Sequence, residues 1–316
     1  MAGLLIIQIP CFNEEETLPA TVADLPREVD GFERVEWLVI NDGSSDRTTE
    51  VARSLGVDHI VEHPKNLGLA AGFRTGLKTC LQLGADVIVN TDADNQYDGR
   101  DIEKLTIPIL AGVADVVVGE RPVSSNAHFS PSKKWLQRNG SRVVRLFSGT
   151  GVQDAASGFR AMSRESASRT RVFGKYSYTM ETLVQYGREG LIVESVPIRV
   201  NPPTRRSRLV KSNWRYVIRS AAAILRSFAL YKPFRLFSLL SSPFLIAGAV
   251  LVARWSALFL FSESSGSRIP SLLIGTGLLI FGIQILIVAV IADLIAANRR
   301  ILSDISAHLQ QIKKTP

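Results

Sequence analysis

Two long apolar stretches near the C-terminus constrain this chain more than any other feature of its sequence. They run from Leu236 to Phe261 and from Ile269 to Ala297, and each contains a single charged residue, Arg254 or Asp293. A helix needs about 20 apolar residues to cross the hydrocarbon core of a bilayer, and both stretches are longer than that. The sequence therefore predicts two transmembrane helices, with Arg254 near the outer end of the first, where its long side chain can reach the interface.

The positive charge of the chain is concentrated in one segment. The formal net charge is +8, yet ten Lys and Arg and no Asp or Glu lie between Arg199 and Arg235. The rest of the chain is therefore slightly acidic. This basic segment directly precedes the first apolar stretch, where each cation near an anionic leaflet contributes about 1 kcal/mol to membrane binding. We interpret it as a membrane-binding surface and expect no nucleic-acid partner.

The residues between Asn213 and Lys232 predict an amphipathic helix at the membrane surface. Apolar side chains from Trp214 to Phe228 fall on one helical arc, and Arg215, Arg219 and Arg226 fall on another. Such a helix lies in the interface with its apolar face in the lipid. A core helix is the alternative, but its flanking arginines would be hard to bury.

Charges around the two apolar stretches predict their orientation. The connecting loop from Ser262 to Arg268 holds one Glu and one Arg, whereas basic residues precede the first stretch and follow the second, as Arg299, Arg300, Lys313 and Lys314. By the positive-inside rule, both ends of this hairpin are cytoplasmic.

The N-terminal part of the chain is expected to stay in the cytoplasm. Its first residues lack the basic region of a signal peptide and read as a first strand, and its two cysteines, Cys11 and Cys80, fit a reducing compartment. We therefore expect a two-span protein of a bacterial-type inner membrane. An apolar stripe after the second span would be partly exposed in a monomer and predicts a homo-oligomer contact through Ile301, Ile305, Leu309 and Ile312.

Apolar runs in the first 120 residues alternate with helix-like segments. The runs are Leu4 to Pro10, Glu36 to Asn41, Asp86 to Asn90 and Asp115 to Gly119. Strands that alternate with helices form a parallel sheet. Ligands of such sheets bind beyond the carboxyl ends of the strands, so the residues that follow each run are the candidate site.

Clusters of acidic residues follow three of these apolar runs, and the last of the three clusters predicts a metal site. Any one cluster is also typical of a turn or a helix start. Asp92 and Asp94, however, project to the same side at a strand exit, where two carboxylates repel each other unless a cation lies between them. Gln96 adds a neutral oxygen. This all-oxygen set suits Mg²⁺ or Mn²⁺, with substrate phosphates completing the coordination shell.

Two nucleotide-binding motifs are absent. No G-x-G-x-x-G follows the first run and no G-x-x-x-x-G-K-[ST] occurs in the chain, so dinucleotide oxidoreductases and P-loop NTPases lose their main support. In the predicted helix from Leu67 to Leu83, Gly72 and Gly76 are interpreted as close packing on the sheet. Asn66 and Gly68, at the entrance of that helix, can instead admit a nucleotide.

Six motifs occur in a characteristic order. They are P-x-F-N-E-E, N-D-G-S-S-D-R-T, K-N-L-G-L-A-A-G, D-A-D-N-Q, G-E-R and D-A-A-S-G-F-R. With the two-span C-terminus, this set resembles the family 2 glycosyltransferases that load a sugar onto a polyprenyl phosphate, of the dolichyl-phosphate mannose synthase or undecaprenyl-phosphate glucosyltransferase type. The resemblance implies a GT-A fold, which is a Rossmann-like α/β domain with a mostly parallel sheet, in residues 1–211. An amphipathic segment (212–235), a transmembrane hairpin (236–297) and a cytoplasmic C-terminal helix (298–316) would follow.

The resemblance also implies roles for individual residues. Asp154 would lie at the reacting centre, and Asp92, Asp94 and Gln96 would hold the divalent metal on the donor diphosphate. The nucleotide-sugar would be bound by Pro10, Asn13, Glu14, Asp42, Asn66, Gly68, Asp92 and Ala93. The acceptor phosphate would be bound by Arg121, Arg138, Arg205, Ser207 and Lys211. The basic loop lacks the Gly that often precedes Ser-Lys in the family, so assignments among its cations stay open. Tyr178 and Glu181 either bind sugar hydroxyls or cap and pack a helix.

The implied reaction is the metal-dependent, inverting transfer of a hexose from a nucleotide-diphosphate sugar to polyprenyl phosphate on the cytoplasmic face. UDP-glucose is the favoured donor, with GDP-mannose or UDP-GlcNAc as alternatives, and a flippase and a lipid-linked-sugar transferase are expected downstream. A processive polysaccharide synthase is an alternative, but the chain lacks Q-x-x-R-W and two spans are too few to enclose a polymer channel. A non-catalytic nucleotide-sugar-binding membrane scaffold is another, although it would need neither the acidic pair nor the basic loop.

Overall fold

The chain divides into two compact units, Met1–Leu225 and Arg226–Pro316. The structure is a computed structural model. It describes residues 2–122, 141–142, 144–145, 148–172, 174, 178–202, 222, 225, 229, 233–261 and 269–312. The predicted amphipathic helix between Asn213 and Lys232 therefore lies almost wholly outside the described residues.

The first unit is built on a seven-stranded sheet. Its strands are β1 (Ala2–Cys11), β2 (Phe32–Asn41), β3 (His59–Glu62), β4 (Val87–Asn90), β5 (Val116–Glu120), β6 (Arg160–Ser163) and β7 (Val193–Pro197). They are arranged in the order β3-β2-β1-β4-β6-β5-β7. Strand β6 runs antiparallel to β4 and β5, and the other neighbouring pairs are parallel. The predicted α/β architecture with a mostly parallel sheet is confirmed.

In the described part of this unit, six helices with complete bounds pack on the two faces of the sheet. They are α1 (Leu18–Asp24), α2 (Thr48–Ser54), α3 (Leu69–Leu83), α4 (Ile102–Leu110), α5 (Arg164–Arg169) and α6 (Thr179–Glu189), and a 3-10 turn (Gly99–Asp101) precedes α4. Because the parallel strands are joined by these crossovers, β1, β2, β4 and β5 all end at the same edge. This edge carries the polar clusters that the sequence singled out.

Alternation along β1 builds a core on each side of the sheet. Leu5, Ile7 and Ile9 pack with α1, α2 and α4, whereas Leu4 and Ile6 pack with α3, α5 and α6. This is the two-residue period of a strand buried on both faces.

One buried polar residue interrupts the second core. Gln8 is fully buried and donates from Nε2 to Asn90 Oδ1 at 2.8 Å. Helix α3 passes directly over it, since a Cβ on Gly76 would lie 2.2 Å from Gln8 Oε1. Close packing therefore explains Gly76, as the sequence indicated, and a larger residue there would displace the helix from the sheet.

The described residues of the second unit lie mainly in two long helices, α7 (Pro233–Phe261) and α8 (Ile269–Ile312). Both contain candidate membrane spans by length and composition, Pro233–Leu260 and Ile269–Asn298. Helix α8 continues without a break into the region that the sequence reading treated as a separate C-terminal helix. Glycines bring α7 and α8 together, because a Cβ on Gly248 would lie 2.8 Å from the Gly275 carbonyl oxygen.

A proline inside α7 has a local replacement for the hydrogen bond that it removes. Pro243 has no N–H, so the carbonyl of Leu239 loses its usual helical donor. The hydroxyl of Ser242 donates to that carbonyl oxygen at 2.9 Å. Since an unpaired carbonyl is costly in hydrocarbon, this contact allows Pro243 to lie within an apolar helix.

Candidate functional site

The loops that follow β1 and β2 are fastened to each other. Asn13 has a left-handed backbone with φ 56. Its N–H donates to Ser44 Oγ at 2.9 Å, and its Oδ1 accepts from the Ser45 N–H at 2.8 Å. The Glu14 N–H donates to Thr48 Oγ1 at 2.9 Å. Asn13 and Glu14 thus fix the rim of the predicted nucleotide site, and a direct contact of either with the nucleotide stays a prediction.

Asp42 connects the end of β2 to the segment that precedes α3, which forms another part of this rim. Its carboxylate accepts from the N–H groups of Leu67 and Gly68 at 2.9 and 2.8 Å and lies 2.7 Å from His63 Nδ1. The neighbouring Gly43 has φ +69, and a Cβ on it would lie 2.4 Å from the Lys65 carbonyl carbon. The segment of Asn66 and Gly68 is therefore pressed onto the end of β2. The predicted residues Asp42, Asn66 and Gly68 do come together.

Exposed apolar side chains border the same rim. Phe12 is 39% exposed and Leu67 is 45% exposed, and both belong to the loops just described. Sequence reasoning gave neither a role, although Phe12 belongs to the P-x-F-N-E-E motif. Pro10 is partly exposed beside them, whereas the side chain of Ala93 is buried and its carbonyl accepts from Thr21 Oγ1 at 2.9 Å. Of Ala93, only the backbone can face a nucleotide.

The acidic loop after β4 holds an unbalanced negative charge. Removal from water and the nearby Asp94 carboxylate raise the pKa of Asp92 to about 7, and Arg121 compensates only in part. Gln96 donates from Nε2 to Asp94 Oδ2 at 2.9 Å, which brings its amide beside the acidic pair. Among the described residues, no group of three or more His, Cys, Asp and Glu could hold a metal ion. Two carboxylates and an amide oxygen fit a divalent cation whose remaining ligands are phosphate oxygens and water.

Arg121 and Asp154 form a two-pronged ion pair next to this loop. Arg121 Nε and Nη2 donate to Asp154 Oδ2 and Oδ1 at 2.6 and 3.0 Å. The side chain of Asp154 is 1% exposed and that of Arg121 is 14% exposed. Arg121 also attracts Asp92, so one guanidinium lies between the predicted metal ligand and the predicted reacting-centre carboxylate. The predicted contact of Arg121 with an acceptor phosphate is not tested by this arrangement.

A buried arginine shapes the loop that carries Asp154. Arg160 is fully buried and donates to the carbonyl oxygens of Ser157 and Ala155 at 2.9 and 3.1 Å and to Thr182 Oγ1 at 2.8 Å. Sequence reasoning assigned no role to Arg160. The available signal was its place at the end of the D-A-A-S-G-F-R motif, six residues after the acid.

The structure favours packing over sugar binding for Tyr178 and Glu181. The Tyr178 ring is fully buried and stacks on Phe73 with centroids 3.7 Å apart. Glu181 is also buried and accepts from the Gly174 N–H at 2.9 Å. Tyr178 therefore packs on α3, and Glu181 anchors the loop that precedes α6.

The chain that leads into the basic segment is bound to the acidic loop. The Asn201 N–H donates to the Gln96 carbonyl at 2.9 Å, and Val200 forms an antiparallel bridge with Tyr97. Arg199 Nη2 donates to Asp101 Oδ1 at 2.8 Å. Sequence reasoning missed these contacts. The other predicted acceptor-phosphate residues lie outside the described residues, namely Arg138, Arg205, Ser207 and Lys211.

Comparison with known proteins identifies the family of this site. The model of the family described as "Glycosyl transferase family 2" matches residues 6–171, slightly more than half of the chain. The chain belongs to glycosyl transferase family 2. It is thus a glycosyltransferase, and its family match spans the rim, the acidic loop and Asp154.

Relatives of this family 2 glycosyltransferase include two archaeal enzymes. The UDP-N-acetylglucosamine–dolichyl-phosphate N-acetylglucosaminyltransferase of Methanococcus voltae is 28% identical over 62% of this chain and 85% of its own length. The dolichyl-phosphate hexose transferase of Haloferax volcanii is 30% identical over 61% of this chain and 81% of its own length.

A solved structure supports the fold of this family 2 glycosyltransferase. Glucosyl-3-phosphoglycerate synthase from Mycobacterium tuberculosis, solved with Mn²⁺, UDP-glucose and phosphoglyceric acid, has a TM-score of 0.58 and 20% sequence identity. The match covers 71% of this chain and 79% of that one. The predicted GT-A architecture is therefore confirmed.

Proposed function

We propose that this family 2 glycosyltransferase moves a hexose from a nucleoside-diphosphate sugar onto the phosphate of a membrane polyprenyl phosphate, with inversion at the anomeric carbon. The observation that carries the proposal is the electrostatic attraction between Asp92 of the acidic loop and Arg121, which forms an ion pair with Asp154 at the strand ends of the sheet, in a chain with two apolar helices. The two archaeal relatives, whose names specify dolichyl phosphate as acceptor, support the acceptor class.

The donor fits the rim between β1 and β2. Asp42 holds the backbone of Leu67 and Gly68, next to Asn66, and supplies a polar edge for a nucleobase and ribose. Pro10 and Phe12, in the loop after β1, are at least partly exposed and supply an apolar face. We favour UDP-glucose as donor, with GDP-mannose and UDP-GlcNAc as the alternatives to be distinguished by assay. Asp92 and Ala93 lie at the neighbouring strand end, where they complete the site.

The acidic loop fits a divalent metal. Asp92, Asp94 and Gln96 would hold Mg²⁺ or Mn²⁺, which supplies positive charge for the departing nucleoside diphosphate. The same fold accommodates Mn²⁺ with UDP-glucose in the mycobacterial enzyme. The raised pKa of Asp92 fits this assignment, because two crowded carboxylates are stabilised once a cation lies between them.

The residues around Asp154 position the acceptor phosphate. A phosphate monoester is mostly dianionic at pH 7, since its second pKa is about 6, and so it needs little help from a general base. Asp154 therefore orients the nucleophile or stabilises the positive charge that develops at the anomeric carbon. Arg121 is suited to bring two anions together, because its planar guanidinium grips a phosphate with two hydrogen bonds. Arg138 and the cluster Arg205, Ser207 and Lys211 are proposed to add to this charge.

The apolar helices fit the acceptor. A polyprenyl chain of about 50 carbons is held in the lipid by about 0.8 kcal/mol for each methylene, so the enzyme must reach its substrate at the membrane. We propose two spans in a bacterial-type inner membrane, with the catalytic unit and both termini cytoplasmic. A homo-oligomer contact along Ile301, Ile305, Leu309 and Ile312, and downstream use of the lipid-linked sugar by a flippase and a transferase, extend the proposal.

A transfer assay with the full-length protein tests this function. Purified protein is incubated with radiolabelled nucleotide-sugars, Mn²⁺ and undecaprenyl phosphate, and the label is partitioned between organic and aqueous phases. Label in the organic phase that is lost with chelator and restored by Mn²⁺ supports the proposal. Label in an aqueous polymer would identify a polysaccharide synthase, and binding without turnover would identify a scaffold. Either result contradicts the proposal.

The same assay addresses Asp154. Asp154→Asn keeps the shape of the side chain, so nucleotide-sugar binding is expected to persist while turnover falls. If binding disappears as well, Asp154 is a structural residue.

A further inference from the structure

Tyr97 lies between the loops that carry the two proposed functional carboxylates. It directly follows Gln96, is 5% exposed, and stacks on Phe159 with ring centroids 5.0 Å apart. Its hydroxyl oxygen accepts a 3.1 Å hydrogen bond from the Gly158 N–H. Since that contact uses only a lone pair, the hydroxyl proton remains to be donated, and the Asp92 carboxylate is the group that interacts with it.

Gly158 is also held through its carbonyl group. Its carbonyl oxygen accepts from Asn90 Nδ2 at 2.9 Å and from the Tyr178 hydroxyl at 3.3 Å. Asn90 is the last residue of β4 and is itself fixed by the buried Gln8. The two peptide groups that flank the Gly158 Cα are therefore bound, one to the acidic loop through Tyr97 and the other to the strand that leads into that loop.

The lack of a side chain at Gly158 allows the two loops to touch. A Cβ built there would lie 3.2 Å from both carboxylate oxygens of Asp92 and 3.0 Å from the Tyr178 hydroxyl. Distances of this kind are tighter than ordinary van der Waals contact. The Asp92 carboxylate thus rests against the backbone of the Asp154 loop, and Tyr97 bridges the same two partners.

We propose that Tyr97 is a positioning residue, which fixes the Asp92 carboxylate for metal binding and, through the Gly158 peptide, sets the position of the Asp154 loop relative to the metal. The inference rests on the proposed function, because it takes Asp92 as a metal ligand. Groups that hydrogen-bond to a metal ligand fix its orientation, and their loss typically lowers metal affinity or activity by about 10–100-fold.

The substitution Tyr97→Phe tests this role, because it removes the hydroxyl and keeps the ring stacked on Phe159. Mn²⁺ binding to the full-length protein is measured from the free Mn²⁺ signal in electron paramagnetic resonance, with UDP present. We expect Mn²⁺ affinity to fall about 10-fold, whereas UDP affinity without metal stays unchanged. At saturating Mn²⁺, kcat for transfer is expected to fall with no change in KM for the polyprenyl phosphate.

Tyr186→Phe is the matched control. Tyr186, a residue of α6, is also fully buried. Its hydroxyl lies 3.0 Å from Thr170 Oγ1 in the core. Removal of this hydroxyl is expected to leave Mn²⁺ affinity and kcat at the wild-type values. Gly158→Ala is a second probe, since its methyl group would press on Asp92, and it is expected to weaken Mn²⁺ binding.

The outcomes separate this inference from the proposed function. Wild-type Mn²⁺ affinity in Tyr97→Phe, in a protein whose parent binds Mn²⁺ and transfers sugar, overturns the positioning role alone. Equal losses in Tyr97→Phe and Tyr186→Phe also overturn it, because they indicate general packing. If the parent protein binds no Mn²⁺ in the presence of UDP, the proposed metal-dependent function fails first, and the inference fails with it.

Discussion

Among single residues, Asp92 shows most clearly that a residue of the proposed site can lower the stability of the folded protein. Its folded-state pKa of about 7 lies above the ordinary value of about 3.9. Folding therefore favours the neutral carboxyl. The contribution of Asp92 to the free energy of unfolding is greatest below about pH 4 and is lost as the pH rises through about 7. Near neutral pH, part of the stability is thus given up to keep a charged ligand next to Asp94.

Asp92→Asn should therefore stabilise the protein while it abolishes metal-dependent transfer. The amide has the same shape and no charge, so we expect the midpoint of thermal unfolding in detergent to rise by roughly 2–4 °C at pH 8, the effect of about 1 kcal/mol in a protein of this size. The difference from wild type should shrink toward pH 5. A variant that melts below the wild type at pH 8 would contradict the raised pKa.

Arg160 is a second residue whose loss should affect both stability and rate. Arg160→Lys cannot reproduce the separate hydrogen bonds to the carbonyls of Ala155 and Ser157. We expect a loss of about 2 kcal/mol in the free energy of unfolding and at least a 10-fold lower kcat, because the Asp154 loop shifts. Arg169→Lys, at a solvent-exposed ion pair with Glu165, is the control and should change neither quantity. Chemical denaturation and the transfer assay provide the two measurements.

The order and spacing of residues in the sequence identified the acidic loop, but they did not predict the hydrogen bonds and ion pairs around it. Asp92 and Asp94 are visible as a pair in any reading of the sequence, because their spacing at a strand exit brings them together. The pairing of Arg121 with Asp154 joins residues 33 positions apart, and the burial of Arg160 contradicts the usual exposure of arginine. The ion pair and the burial of Arg160 both depend on the antiparallel strand β6, which was not predicted from the sequence.

At the scale of secondary structure elements, the segment after β7 links the acidic loop to the basic residues that follow it. Arg199 donates from its backbone N–H and from its guanidinium to Asp101, and it lies 3.2 Å from Asp98. Asp101 is buried between Arg199 and Lys104, and these partners outweigh burial, so its pKa falls to about 2. This contribution to stability is present above about pH 4 and is lost as the pH falls through about 2.

Arg199→Ala is expected to weaken the use of the lipid acceptor. Because the residues that follow Arg199 are proposed to bind the acceptor phosphate, we expect KM for polyprenyl phosphate to rise about 5-fold, the effect of roughly 1 kcal/mol. KM for the nucleotide-sugar should not change. Arg53→Ala removes an exposed ion pair with Glu62 and serves as the control. An unchanged acceptor KM in Arg199→Ala would show that this contact is only structural.

The elements that the sequence predicted are those with continuous apolar runs. Strands β1, β2, β4 and β5 each contain a run of at least three buried apolar residues, such as Trp37 to Ile40 in β2. Strands β3, β6 and β7 contain no run of more than two apolar residues. Such strands are defined by their partners and not by their own composition. Helix α3 begins at Leu69 and not at Leu67, because Gly68 has φ 93 and ends the preceding loop.

At the scale of the whole molecule, the two apolar helices form the most regular unit. They were readable from length and hydropathy, because each apolar stretch is longer than the about 20 residues that cross the hydrocarbon core of a bilayer. Their contact surface was not readable, because α8 contains three glycines, Gly275, Gly277 and Gly282, and not all of them lie at the crossing with Gly248 of α7. Gly248 and Gly275 face the partner helix, whereas a Cβ on Gly277 would meet nothing within 4 Å.

Gly248→Leu should therefore disrupt the helix pair, and Gly277→Leu should not. Close approach of helix backbones in a membrane depends on small residues at the interface. For Gly248→Leu we expect a lower unfolding midpoint in detergent and a larger aggregated fraction in size-exclusion chromatography. Gly277→Leu is the control, because it makes the same change in side-chain volume on the same pair of helices at a position outside their contact. Equal behaviour of the two variants would rule out the glycine crossing.

The unbroken course of α8 has a mechanical consequence. Its 44 residues correspond to a rod of about 66 Å, whereas hydrocarbon is about 30 Å thick. The candidate span takes the first 30 residues, and residues 299–312 extend the same helix by about 21 Å. Because the helix is continuous, a tilt of the proposed span would also move its C-terminal end. A fluorophore attached at that end would report the inclination of the helix in the proposed bilayer.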